Sequence, residues 1–199
     1  MLNRFSYILL LGLLVTVAFL FIHFSSSRDV EEPRYVGAQR CRVCHEAASL
    51  GASYKVWNSS AHARAYQTLF SDSARAYLAA TNSSIESCLE CHTTIGQPHR
   101  TEADQALHEE GVSCERCHGA GSNYAEFNTM LDHDAFIARG GVAGTMRDCY
   151  QCHAEDPATA DKHCPFQREQ FVADSAWTLI RHQVPRTGRR VDTSLTAIR

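Results

Sequence analysis

The chain has 199 residues, of which 21% are charged, and a formal net charge of −3. That length suits one globular domain once any targeting segment is set aside. The balance of charge lacks the basic footprint of a nucleic-acid binder, so no nucleic-acid partner is expected.

The N-terminus comes first. Met1 to Arg4 is a short flank with one positive charge, and Phe5 to Phe24 is nearly all apolar. A cleaved signal peptide has an apolar stretch of about 7–15 residues and a small-residue cleavage site, whereas a spanning helix needs about 20 apolar residues. The run is close to the second length and has no A-x-A-like end, which favours an uncleaved membrane anchor in residues 5–24; Ser25 and Ser27 leave cleavage open. In either case Arg4 favours the N-terminal end inside, so the chain from residue 28 onward is expected on the periplasmic side of the cytoplasmic membrane. His23, inside the apolar run, reads as an incidental interfacial residue. The expected organisation is an anchor or signal segment at 1–27, a short linker at 28–37, one domain at 38–185 and a polar, basic, fraying tail at 186–199.

Cys41-Arg-Val-Cys44-His45 opens the domain. Glu46 to Leu69 is rich in alanine and predicts a helix, with Trp57, Tyr66, Leu69 and Phe70 as inward positions. Ser71 then caps a second short helix over Asp72 to Ala80. Cys88-Leu-Glu-Cys91-His92 and Cys114-Glu-Arg-Cys117-His118 follow, with Gly111, Gly119, Gly121 and Gly144 marking turns. Ala125 to Ala138 places Phe127, Met130, Leu131 and Phe136 at spacings a helix face can use, and ends at Gly140-Gly141. After Cys149-Tyr-Gln-Cys152-His153 comes the clearest helix, Phe166 to Val184, with Phe171, Val172, Trp177, Leu179 and Ile180 as its apolar residues and Pro185 as its stop. Strands are not evident. The expected class is mainly α with much irregular loop.

Eight of the nine cysteines therefore fall into four copies of C-x-x-C-H, the attachment motif of c-type haem. The copies are unequally spaced, so they are not a regular repeat array. In each, two thiols lie about one helical turn apart and can face one side. Each thiol adds to a vinyl group of the porphyrin, and the adjacent histidine reaches the iron. Covalent sites are expected at Cys41, Cys44, Cys88, Cys91, Cys114, Cys117, Cys149 and Cys152, with His45, His92, His118 and His153 as proximal ligands. Paired cysteines also build zinc sites and, after export, disulfides, but neither accounts for a histidine after every pair. The exported part has few long apolar runs. A chain of this kind buries little on its own, so a multihaem fold packed around four covalently bound haems is expected, with the haem supplying the core.

The sixth ligand decides what such a haem does, because a second protein ligand favours electron transfer and an open position favours chemistry on a small molecule. Six further histidines are available for four positions: His62, His99, His108, His133, His163 and His182. His62 follows Trp57 as Trp-x4-His, His182 follows Trp177, and His133 follows the third motif; these are the first choices, with His108 next. For His108, His99 and His163, a surface histidine or a charge near a haem propionate is the competing reading. Cys164, outside any motif, reads as a buried structural thiol before an unusual iron ligand. Met130 and Met146 could also ligate, although methionine on a helix is more often core.

These residues resemble the tetrahaem cytochrome c-554 family, whose type members serve hydroxylamine oxidation in ammonia-oxidising bacteria. The resemblance covers roughly residues 38–184 and rests on four features: Trp57-x4-His62-Ala63 after the first motif; Gly111-Val112-x-Cys114-Glu115-x-Cys117-His118-Gly119-x-Gly121; His133 beyond it; and an aromatic helix ending in His182. It implies a mainly helical, haem-packed domain with closely stacked haem pairs, and His62, His133 and His182 as distal ligands. It also implies that the haem on His92 lacks a protein distal ligand, a point that His99 and His108 put in question here. The type members are soluble and basic, unlike this chain.

The expected function is electron transfer between redox-protein donor and acceptor, at the membrane through the N-terminal helix. Glu115 and Arg116 would tune haem potentials. The alternatives are a nitrogen-oxide-type reductase with a five-coordinate haem, and a polymerising extracellular cytochrome. The sequence has no Ser-His-Asp arrangement and no phosphate loop, and no metal site beyond iron.

Overall fold

The computed structural model describes residues 3, 12–17, 19, 32–98, 100–153 and 171–182. The chain divides into a first unit, Met1–Glu32, and a second, Pro33–Arg199. In the first unit residues 12–17 and 19 are helical. The Thr16 hydroxyl donates to the carbonyls of Gly12 at 3.0 Å and Leu13 at 2.9 Å, which satisfies it within an apolar run. No helix among the described residues is long and apolar enough to cross a membrane. Most of the expected anchor, the expected tail at 186–199 with residues 183–185 before it, and residues 154–170, His99, His163 and Cys164 lie outside the described residues.

The described part of the second unit is helical, in short pieces. The α-helices are α1 (Ala38–His45), α2 (Ser53–Ser59), α3 (Ala65–Thr68), α4 (Asp72–Thr81), α5 (Leu89–His92), α6 (Glu102–Glu109), α7 (Cys114–His118), α8 (Phe127–Met130), α9 (His133–Ala138) and α10 (Ala173–Ile180). Tighter 3₁₀ turns run at Ala48–Leu50, His62–Arg64, Ile85–Cys88, Gly121–Asn123 and Met146–Gln151. There is no strand among the described residues.

Two of the expected helices are broken, and the breaks have local causes. The stretch expected as one helix from Glu46 to Leu69 turns at Gly51 (φ 87°) and at Ala52 (φ 51°), and again at Ser60, which is extended. The stretch from Ala125 to Ala138 splits at Asp132, whose Oδ1 accepts from the backbone N–H of Asp134 at 3.0 Å and Ala135 at 3.2 Å. An aspartate in that geometry starts a helix, so α8 ends and α9 begins there. As a result Phe127 and Leu131, expected to face inward, are 67% and 69% exposed, and Thr129 is the buried residue of α8. In the C-terminal segment the helix stops at Ile180, and His182 lies two residues past it. Its inward stripe is Ala173, Ala176, Trp177 and Ile180, while Val172 and Leu179 face out.

The helix after Ser71 forms as expected, since Ser71 Oγ accepts from Ala74 N at 3.2 Å. Replacing Ser71 by Ala is expected to cost about 1 kcal/mol. A lowered thermal midpoint of the haem-loaded protein, with an unchanged absorption spectrum, would be the result.

The polypeptide's own buried apolar set is small: Ala38, Tyr54, Leu69, Ala74, Leu89, Tyr124 and Ala173 among the described residues. Buried polar groups are as prominent: Thr93, Thr94, His108, Ser113, Glu115 and Thr129. Buried polar atoms must be hydrogen-bonded, and here those bonds tie distant segments together. Glu115 on α7 accepts from Val36 N at 2.9 Å, Gly37 N at 2.8 Å and Gly121 N at 2.6 Å. Glu110 accepts from Ala38 N at 2.8 Å. The start of α1 is thus capped by carboxylates more than seventy residues away, where the helix dipole favours negative charge.

Candidate functional site

Each C-x-x-C-H segment forms a helical turn. The first occupies the end of α1, the second runs from the Ile85–Cys88 turn into α5, and the third is α7 itself. The fourth begins in the Met146–Gln151 turn and runs two residues past it, where His153 N donates to Cys149 O at 2.9 Å. A single turn is what presents both thiols and the histidine to one porphyrin.

The turns also lie against one another. The thiols of Cys41 and Cys114 are neighbours, and their pairing holds Cys41 below its ordinary range and pushes Cys114 up. Cys91 and Cys152 are paired in the same way, and Cys152 falls to about 6, helped by Arg116 Nη2 at 3.9 Å. Burial, then the neighbouring Asp148 and Cys149, push Cys117 up to about 11. The first motif therefore lies beside the third, the second beside the fourth, and the third touches the fourth.

Two motif histidines are oriented through Nδ1. His118 Nδ1 lies 2.8 Å from Val142 O, and Val142 N donates back to His118 O at 3.0 Å. His92 Nδ1 lies 2.8 Å from Ala65 O and 3.2 Å from Thr68 Oγ1. An Nδ1–H held on a carbonyl fixes the tautomer and turns Nε2 toward a metal, as in many metal-ligating histidines. His153 is held otherwise, stacked on Phe171 with ring centres 4.3 Å apart and planes 9° from parallel.

Two histidines from outside the motifs come to face motif histidines. The ring centre of His62 is 6.1 Å from that of His153, and that of His182 is 5.8 Å from that of His118. Imidazoles on opposite sides of one first-row metal, with metal–nitrogen bonds of about 2 Å and ring centres about 1.2 Å further out, stand roughly 6–6.5 Å apart. The His62–His153 separation lies in that range, and the His182–His118 separation lies just below it. Burial holds His62, His153 and His182 below the usual histidine range, with neighbouring histidines adding to the shift for His153 and His182. His45 is lowered by burial and then by His118. The neutral imidazole is the ligating form.

The other expected ligands are placed differently. His133 opens α9 and its ring lies 6.3 Å from that of Phe136. His108 is fully buried, with Nε2 at 2.7 Å from Gln97 O and its ring 5.4 Å from Tyr66. The structure brings neither against a motif histidine as it does His62 and His182. Met130 and Met146 are part-exposed, at 41% and 37%.

Sequence reasoning missed the residues that hold these groups. Thr94 Oγ1 donates to Gly111 O at 3.0 Å and accepts from Ser113 N at 2.7 Å, so the segment after His92 is tied to the one before Cys114. Nothing in the spacing of threonines announces this. Gly111, read only as a turn, has φ +68°.

Residues 40–119 match the family model described as Cytochrome c554 and c-prime. That span contains the first three attachment motifs and His62 and His108; the fourth motif and His182 lie beyond it. No curated protein matches the chain, and no solved structure matches it.

Proposed function

We propose, from the premise that the chain belongs to the cytochrome c554 family through residues 40–119, that it is an exported tetrahaem cytochrome relaying electrons between redox-protein partners. Family membership itself implies haem c and electron transfer. Four haems rather than three is our reading of this chain's own Cys149-Tyr-Gln-Cys152-His153.

The observation that carries the proposal is the pair of facing histidines at 6.1 Å and 5.8 Å. When bound, haem supplies a one-electron centre whose ligands change little between oxidation states. His62 with His153, and His182 with His118, would hold the iron of two such groups. Val142 and Ala65 orient His118 and His92 through their carbonyls. The contacts of the first motif with the third, the second with the fourth and the third with the fourth support a continuous relay.

Low-temperature electron paramagnetic resonance of the oxidised protein tests this, with carbon monoxide binding to the reduced form. His62→Ala and His182→Ala should each convert one low-spin haem to high-spin and open it to carbon monoxide. Unchanged spectra in both variants would remove the carrying observation.

A second reading, an open second haem acting on a small nitrogen oxide, is favoured by the commitment of His108 Nε2 to Gln97 O. In that case the wild-type protein binds carbon monoxide at the haem of His92, and His108→Ala leaves its spin state unchanged. Attachment to the membrane through residues 5–24 completes the proposal. Release of the haem protein into the soluble fraction without detergent would count against it.

A further inference from the structure

We infer that Gly111, Val112 and Trp57 form a clamp that positions His62 as the sixth ligand of the fourth haem, so that the loop leading into the third haem site also seats the ligand of the fourth. This rests on the reading of His62 as a ligand given above.

His62 begins a short 3₁₀ turn, His62–Arg64, that has no side-chain cap of its own. Such a turn holds its first residue weakly. What fixes it comes from the loop before Cys114. Val112 N donates to His62 O at 3.0 Å, and Trp57 Nε1 donates to Val112 O at 2.8 Å. The backbone N–H and C=O of Val112 thus grip the chain on both sides of Ser60. Gln67 Nε2 adds a third crossing bond, to Glu109 O at 2.6 Å. From the other side, the buried Thr94 holds both neighbours of Val112, its Oγ1 donating to the Gly111 carbonyl and accepting from the Ser113 amide.

Gly111 is where the two segments touch. A Cβ there would come within 2.4 Å of His62 O, 3.1 Å of Ala65 N and 3.3 Å of Ala63 C, all backbone atoms. Its φ of +68° also disfavours any side chain. An alanine therefore cannot be absorbed by a rotamer change. It must push the turn that carries His62 away, and the ring of His62 faces His153 across 6.1 Å. A displacement of 1 Å is half a metal–ligand bond of about 2 Å, so the ligand comes off before the fold does. Gly111, Val112 and Trp57 are positioning residues: none is itself a donor to iron.

The test uses the full-length, haem-loaded protein in three variants: Gly111→Ala, Trp57→Phe and His62→Gly. Haem content is counted by the pyridine haemochrome, and spin state is read by electron paramagnetic resonance. Gly111→Ala should keep all four haems attached, lose the low-spin signal of one, and bind carbon monoxide at one more haem than the wild type. Added imidazole should restore the low-spin signal, which a merely destabilised fold would not do. Trp57→Phe keeps the ring but not the donor, and should show the same change in a smaller fraction of molecules. If Gly111→Ala fails to accumulate with four haems, Trp57→Phe decides. Wild-type spectra in both clamp variants, with His62→Gly altered, would overturn the clamp and leave the ligation reading intact. An unaltered His62→Gly would overturn both.

Discussion

Removal of haem is expected to abolish the far-ultraviolet helical spectrum of the exported part rather than to leave a native-like apo-protein. The longest described helix of the second unit is Asp72–Thr81, at 10 residues, and isolated helices shorter than about 12–15 residues are marginal in water. These helices must therefore be held by tertiary packing. Yet three of the seven buried apolar residues are alanines, which bring little apolar area, leaving Tyr54, Leu69, Leu89 and Tyr124 as the larger buried side chains among the described residues. Each such side chain contributes only about 1.5–3 kcal/mol on burial. The attachment turns lie in neighbouring pairs, Cys41 with Cys114 and Cys91 with Cys152, so the porphyrins they would carry would add apolar area beside these few buried side chains. Circular dichroism on protein made without haem attachment, or with the eight motif cysteines replaced by serine, measures this. A cooperative, native-like apo melt would show that the polypeptide alone encodes the fold.

Much of the candidate site could be read from the chain because its chemistry is local. A C-x-x-C-H segment is five residues long and forms its own turn, and Ser71 caps its own helix three residues on. His62 and His182 were marked by a nearby tryptophan, and the structure sets both against motif histidines. The parts that were not legible are non-local. The break at Ala52 takes a non-glycine residue into the left-handed region, which no propensity predicts. Asp132 was one acidic residue among several until its side chain met two amides. His108 was counted among ligand candidates because histidine near a haem motif suggests one; that its Nε2 meets the carbonyl of Gln97 depends on how α6 packs. The apolar residues of α8 and α10 were assigned to one continuous helix each, and once the helices are cut short the faces change. Which motif histidine His62 lies near is also a tertiary fact, since it follows the first motif in sequence and lies beside the histidine of the fourth.

Glu115 is expected to be the costliest single surface-inaccessible polar residue to replace. It lies within the third motif, between Cys114 and Cys117, and is 2% exposed. Its carboxylate accepts from the amides of Val36, Gly37 and Gly121 at 2.6 to 2.9 Å. It thereby fixes the strap that leads into α1, the turn after His118, and the register of the first motif against the third. Glu115→Ala leaves three amides without this acceptor in a buried place, which should cost roughly 3–5 kcal/mol. Glu115→Gln keeps one oxygen but turns an NH₂ toward N–H donors, so most of that loss should remain. Glu110 is the natural contrast at the same helix end. Burial pushes its carboxyl above the usual range, while the amides of Ala38 and Gln39 pull it back. A carboxyl raised in the folded state favours folding below its unfolded pKa, and that contribution is lost as pH rises through the folded value. At neutral pH Glu110→Gln should therefore be nearly neutral or stabilising, and should flatten the rise in stability on mild acidification. Guanidinium unfolding of the haem-loaded variants, followed by far-ultraviolet circular dichroism between pH 4 and pH 8, separates the two. Equal losses from Glu110→Gln and Glu115→Gln would mean that the start of α1 depends on negative charge in general. A large loss from Glu115→Gln alone would mean that it depends on one buried acceptor, built into the haem-attachment turn, that couples the first site to the third.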